Sequence, residues 1–177
     1  VEENDNAKIV QYINETLAKP DFENQIGPKE EIATLELTKE DLKFLQYCEE
    51  IFKQSINQNS ETANFVKKYL QEERGYNEEI IQKFEIGLLP SEHDLTLVLI
   101  EQYSYDEEKA RHHINKLLGV TKHNDNTPNE FAKNNITIAW KDADGTVQGF
   151  SLRKPTSKKV ANKYMSSKGL QKSKLLF

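Results

Sequence analysis

Gln148 to Phe177 reads QGFSLRKPTSKKVANKYMSSKGLQKSKLLF and contains no Asp or Glu. Outward from it, residues 131 to 177 hold ten Lys/Arg against Asp142 and Asp144, a net of +8, while the other 130 residues carry −13. The overall net charge of −5 therefore conceals a dipolar chain. A local excess of that size concentrates polyanions, nucleic acid above all, near one face. The stretch also reads as folded. Ile136 to Trp140 alternates Ile/Thr/Ile/Ala/Trp, Asp142-Ala-Asp-Gly145 supplies turn residues, and Val147 to Leu152 resumes an apolar rhythm, together predicting a β-hairpin. Lys163-Tyr-Met165 is a third extended piece that can pair beside it. Lysines on sheet edges also deter aggregation, so charge alone leaves that structural reading open.

Upstream the periodicity is helical and the charge acidic. Residues 6 to 18 place Ile9, Val10, Ile13 and Leu17 on one face, and 21 to 37 form a connection. Thr38-Lys-Glu-Asp41 resembles a capping box opening a helix to about Asn57, with Leu42, Leu45, Cys48, Phe52 and Ile56 inward. Ser60 caps a helix through Phe65, Val66, Tyr69 and Leu70 that stops at Arg74-Gly75, and Asn77 opens a short one to Phe84. Two more are expected near 92 to 103 and 105 to 118, the second capped by Ser104 and ended by Gly119. The polar loop 121 to 130 marks a subdomain boundary. The expected fold is α+β: 1–37 a helix and connection, 38–120 helical and acidic, 131–177 a small, mainly antiparallel basic sheet.

Several chemistries are excluded. No apolar run approaches the ~20 residues of a membrane span. Cys48 is the only cysteine, which rules out internal disulfides and thiolate-cluster zinc, and suits a reducing cytoplasm. On an apolar stripe it is a packed thiol rather than a nucleophile. His112 and His113 diverge by about 100° on a helix, which argues against a shared metal. Asp142-Ala-Asp-Gly145 lacks the later ligands of a calcium loop, and no phosphate-binding Gly-x-x-x-x-Gly-Lys-Ser/Thr occurs.

Two ordered sets of residues carry a resemblance. The first is Tyr69-Leu70, Arg74-Gly75, Ile80-Ile81, Phe84 and Ile86-Gly87-Leu-Leu-Pro90. The second is Phe131-x-Lys-Asn-Asn-Ile136, Asp142-x-x-Gly145, Gly149-Phe150, Arg153, Lys163-Tyr164-x-Ser-Ser167 and Lys-Ser-x-Leu-Leu-Phe177. Across roughly residues 60 to 177 their order resembles the bacterial-type DNA primases with a TOPRIM polymerase domain, in the part of the core just before that domain. The resemblance implies RNA primer synthesis in DNA replication, with single-stranded DNA template and nucleoside triphosphates as partners and a replicative helicase reached through other domains. It places the carboxylates for Mg²⁺ or Mn²⁺ in a TOPRIM domain beyond Phe177, so no catalytic or metal residue is assigned here and this segment alone is expected to be inactive. Arg74, Arg153, Lys163 and Tyr164 are the implied template or nucleotide contacts, with Lys133 and Lys168 as further basic residues. One position departs from the family: Asn135 stands where a basic residue usually precedes the first-strand Ile. On the residues alone, Arg74 is a helix-end cation and Tyr164 a core aromatic. A non-enzymatic single-strand-binding accessory module is the alternative that the basic face also supports.

Overall fold

Thr38 and Asp41 open the first described helix with a reciprocal capping box. The Thr38 hydroxyl accepts from the Asp41 backbone N–H at 3.2 Å, and the Asp41 carboxylate accepts from the Thr38 N–H at 2.9 Å. A computed structural model describes residues 36–118, 135–160, 163–167, 170 and 175. The expected helix over 6 to 18, the Gly119 stop and the loop at 121 to 130 lie outside the described residues.

Among the described residues there are five α-helices: α1 Lys39–Asn57, α2 Glu61–Arg74, α3 Glu78–Lys83, α4 Glu92–Tyr103 and α5 Glu107–His113, the last running into a π-helical turn, Ile114–Leu118. Ser60 and Asn77 cap α2 and α3 as their sequences predict, each side-chain oxygen accepting a backbone N–H three residues on. Gly75 closes α2 in the left-handed conformation at φ 69°, its N–H donated to the Leu70 carbonyl. The cap of α5 differs from expectation. Ser104 sits at φ 59° as the left-handed residue that closes α4, and Asp106 caps α5 instead, accepting from the Lys109 N–H at 2.7 Å.

The sheet has four antiparallel strands in sequence order: β1 Gly87–Leu88, β2 Ile136–Lys141, β3 Val147–Arg153 and β4 Tyr164–Ser166. The predicted hairpin is β2–β3. Its turn is held by Asp142, whose carboxylate accepts the N–H groups of Asp144 and Thr146. The two-residue β1 has no counterpart in the sequence reading. It extends the sheet at Leu88↔Ile136 and Gly87↔Thr137.

Helix α1 lies against the sheet, where Phe52 meets Phe150 edge-to-face with ring centroids 5.1 Å apart. Both rings are about 1 % exposed. Burying each contributes roughly 1.5–3 kcal/mol over leaving it in water. Phe44, Leu45, Leu99 and Ile114 belong to the same cluster. A second cluster joins Ile56, Val66, Tyr69 and Leu70 to Leu88 and Ile136 at the far end of the sheet. Cys48 is fully buried, and burial pushes its thiol well above the usual range, as suits a packing residue. The result is the α+β architecture expected, with helix α2 set beside the ends of β2 and β3.

Candidate nucleic-acid interface

The ladder brings Arg153 to the last position of β3, opposite Ile136 on one side and Tyr164 on the other. Lys154 N–H donates to the Lys163 carbonyl at 3.0 Å just past it, which continues the β3–β4 pairing. Pairing at the other end of β4 depends on Gly149 and Ser167. The Phe150 N–H donates to Ser167 Oγ at 2.8 Å, and the Ser167 N–H returns to the Phe150 carbonyl at 2.8 Å. A Cβ on Gly149 would stand 2.3 Å from that Ser167 Oγ, so only glycine lets the strands close this far.

Two tyrosines hold the Arg153 guanidinium. One Nη donates to Tyr69 Oη at 2.6 Å and the other to Tyr164 Oη. Its carbon lies 5.8 Å from the Tyr69 ring centroid and 4.9 Å from that of Tyr164. The Tyr69 hydroxyl in turn donates to the Thr156 carbonyl at 3.3 Å. Arg153 Nε is buried without a hydrogen-bond partner among the described residues. No ion pair reaches the guanidinium among those residues either. Tyr164 is 63 % exposed, a surface ring rather than a core one.

Lys141, on the neighbouring strand, shows the opposite arrangement. Its ammonium pairs with Glu49 at 2.9 Å and also with Glu85. The Lys141 and Lys53 bonds hold the Glu85 carboxyl below its usual range against the opposing effect of burial. That cation ties α1 to β2 and has little charge left to offer a ligand.

Of the residues marked by sequence, Arg153 and Tyr164 are in contact, and Lys163 is next in chain to Tyr164. Arg74 is exposed in the last turn of α2, where its charge complements the helix dipole. No contact joins Arg74 or the Lys163 side chain to the Arg153 cluster among the described residues. Lys133 and Lys168 lie outside those residues. Asn135 is 1 % exposed and its carbonyl accepts the Leu89 N–H at 2.9 Å, so it packs inside. Sequence reasoning assigned Tyr69 to the apolar stripe of α2 and missed its bond to Arg153. The available signal was chemical: a buried tyrosine hydroxyl needs a polar partner. Among the described residues no group of three or more His, Cys, Asp or Glu side chains is placed to hold a metal ion. None of their helices is long and apolar enough to cross a membrane.

The chain is similar to known proteins. The family model "DNA primase catalytic core, N-terminal domain" matches residues 51–177. Among solved structures, the zinc-binding and RNA polymerase domains of the Aquifex aeolicus primase are 26% identical at TM-score 0.51, covering 75% of this chain and 30% of that one. A DnaG primase catalytic domain bound to ssDNA is 23% identical at TM-score 0.53, with 72% and 38% covered. The RNA polymerase domain of Mycobacterium tuberculosis primase DnaG, in complex with a double-stranded DNA oligomer with a 6-nucleotide overhang, is 19% identical at TM-score 0.53, with 73% and 38% covered. The last two likenesses establish a shared fold. No curated protein matches the chain. The chain spans well under half the length of these solved chains, between 30% and 38%. By a family match that takes in more than two thirds of its residues, this chain belongs to the N-terminal domain family of DNA primase catalytic cores.

Proposed function

We propose that this chain serves as the template- and nucleotide-holding part of a DNA primase core, acting while an RNA primer is made on single-stranded DNA. The observation that carries the reading is Arg153, held by two neutral phenols, with no ion pair to a carboxylate among the described residues. A guanidinium so fixed presents a fork to a phosphate with its orientation already set. Tyr164 has one face under that guanidinium and its ring largely exposed, so the other face offers a platform for a base. Lys163, Arg74, Lys133 and Lys168 supply further charge to a flexible strand or a triphosphate. The contacts assigned to these groups are to phosphates and base faces, which carry no sequence information directly.

Nucleotidyl transfer uses divalent cations to activate the attacking oxygen and neutralise the leaving phosphate. No donor set for them occurs among the described residues. We assign Mg²⁺ or Mn²⁺ binding to a TOPRIM domain, with contacts to a helicase made by other parts of the enzyme, and derive no step through either.

Counterion release provides the test. If Arg74, Arg153, Lys163 and Lys168 each neutralise one phosphate, single-strand affinity falls with a log–log salt slope of roughly −3. Arg153→Ala or Lys163→Ala reduces the slope magnitude by about 0.7 each, with similar losses on all template sequences. Lys67, bonded to Asn57 on the acidic half, is the control. Fluorescence anisotropy of a labelled oligonucleotide over a salt series decides the matter: equal losses for Lys67→Ala and the two sheet variants refute the reading.

A further inference from the structure

An open cleft of about 300 Å³ separates α2 from the segment after β3. Phe65, Tyr69 and Pro155 form its apolar surface, with Thr156, Ser157 and Lys158 along the far side. Phe65 is the anomaly. The helical pattern assigns it to the buried stripe of α2, yet it is 57 % exposed and its ring opens onto this cleft. Tyr69 is the shared wall, because its ring lines the cleft while its hydroxyl bonds both Arg153 and the Thr156 carbonyl.

We propose that this cleft receives an unpaired nucleobase of the single strand, stacked on Phe65, while the adjoining phosphate rests on Arg153. The charge balance favours a base over an anion. Lys68 is drawn to Glu72 at 3.9 Å across the helix surface, and the lining also carries one further acid, Glu73, and one further base, Lys158, so its formal charges balance and the cleft suits a flat uncharged group. Its continuity, through one tyrosine, with a guanidinium that has no ion-pair partner among the described residues favours a base over an apolar protein side chain. Stacking of this kind tolerates any base because every base has a π-face. The inference rests on the single-strand reading above and adds a second aromatic platform to Tyr164, on the other side of Arg153's tyrosine pair.

Phe65 is largely exposed, so its substitution leaves the fold intact, which circular dichroism verifies. With the full chain and a labelled oligonucleotide, Phe65→Ala and Phe65→Leu weaken binding roughly 5- to 150-fold, the value of one stacked base, with the salt slope unchanged. Phe65→Tyr, which restores an aromatic face, retains affinity. An abasic strand of equal length keeps every phosphate and lacks the bases. It binds the unaltered chain more weakly than the normal strand does, and Phe65→Ala narrows that difference. If Phe65→Ala binds both strands as the unaltered chain does while Arg153→Ala weakens binding, the base cleft is refuted and the single-strand surface stands. If Phe65→Leu retains affinity, the contact is merely apolar and the stacking proposal fails. If neither Phe65→Ala nor Arg153→Ala affects binding, both readings fall together.

Discussion

Tyr69→Phe separates the charge of Arg153 from its orientation. Phenylalanine keeps the ring, which is 6 % exposed within the second core cluster, and removes only the hydroxyl. Two hydrogen bonds go with it, the 2.6 Å bond from Arg153 and the 3.3 Å bond to Thr156. A bond to a charged group contributes about 1.5–3 kcal/mol when desolvated, but the half-buried guanidinium retains Tyr164 and gains water, so a stability loss of about 1 kcal/mol is expected. For a chain of this length that lowers the melting temperature by about 2–4 °C. The effect on binding is distinct. A freed arginine must be ordered again when a phosphate arrives, at about 0.5–1.5 kcal/mol per side chain, which predicts oligonucleotide affinity roughly 2- to 12-fold weaker. Because no charge is removed, the salt slope stays constant, whereas Arg153→Ala lowers it. Anisotropy titrations at four or more salt concentrations distinguish the two. An unchanged affinity in Tyr69→Phe refutes preorganisation of Arg153, and a slope change equal to that of Arg153→Ala shows that the substitution has displaced the guanidinium altogether.

Asp41 is buried, and burial alone would raise its carboxyl, but bonds from Lys116 and from the Thr38 backbone and hydroxyl outweigh this and hold it below its usual 3.8. A lowered pKa contributes stability that is fully present above about pH 4 and is lost as pH falls through the folded value, so Asp41→Asn should cost about 1–3 kcal/mol in guanidinium-chloride denaturation at pH 7 and progressively less below pH 4. Gly149→Ala forces a Cβ against Ser167 and Leu170, and is expected to destabilise by about 1–3 kcal/mol and to weaken oligonucleotide binding by shifting β4 and Tyr164; a thermal melt and affinity equal to those of the unaltered chain would show that β4 does not depend on this approach.

What the sequence discloses is local. Thr38, Ser60 and Asn77 announce their helices because a capping oxygen needs only an N–H three residues away, and the Asp142-to-Gly145 turn announces the hairpin for the same reason. Ser104 misleads because Ser104 and Asp106 are both able caps two residues apart. The choice between them depends on how α4 ends, with Ser104 itself taken up in the left-handed conformation. The short β1 has too few residues to show a period of two, and it is a strand only because Ile136, 48 residues on, pairs with Leu88. Arg153 and Tyr164 are readable through family resemblance, yet their partnership with Tyr69 joins positions 84 residues apart in the chain. Phe65 satisfies the helical period of a buried residue and is nonetheless exposed. Periodicity says which residues share a face, and packing alone says how far the neighbouring layer extends over it.

The same sheet uses cations in two incompatible ways, and the difference underlies the proposal that one end of it suits a polyanion. Lys141 at the end of β2 is matched by Glu49 and Glu85, which fix its position by cancelling its field. Arg153 at the end of β3 is fixed by Tyr69 and Tyr164, which carry no charge and cancel nothing. At an effective dielectric of about 20, two unit charges 4 Å apart interact by about 4 kcal/mol. A carboxylate in place of either tyrosine would therefore offset most of the attraction that Arg153 offers a phosphate at that distance, whereas a phenol provides the same positional restraint and leaves the attraction whole. In the proposed reading, tyrosine would also present a ring to the strand whose phosphate the arginine holds, so one pair of side chains would meet both repeating features of a single-stranded nucleic acid. In the proposed reading Arg153 is fixed and still attractive to anions because its partners among the described residues are neutral, and that choice of partner, more than the number of lysines, would distinguish a binding surface from a merely basic one.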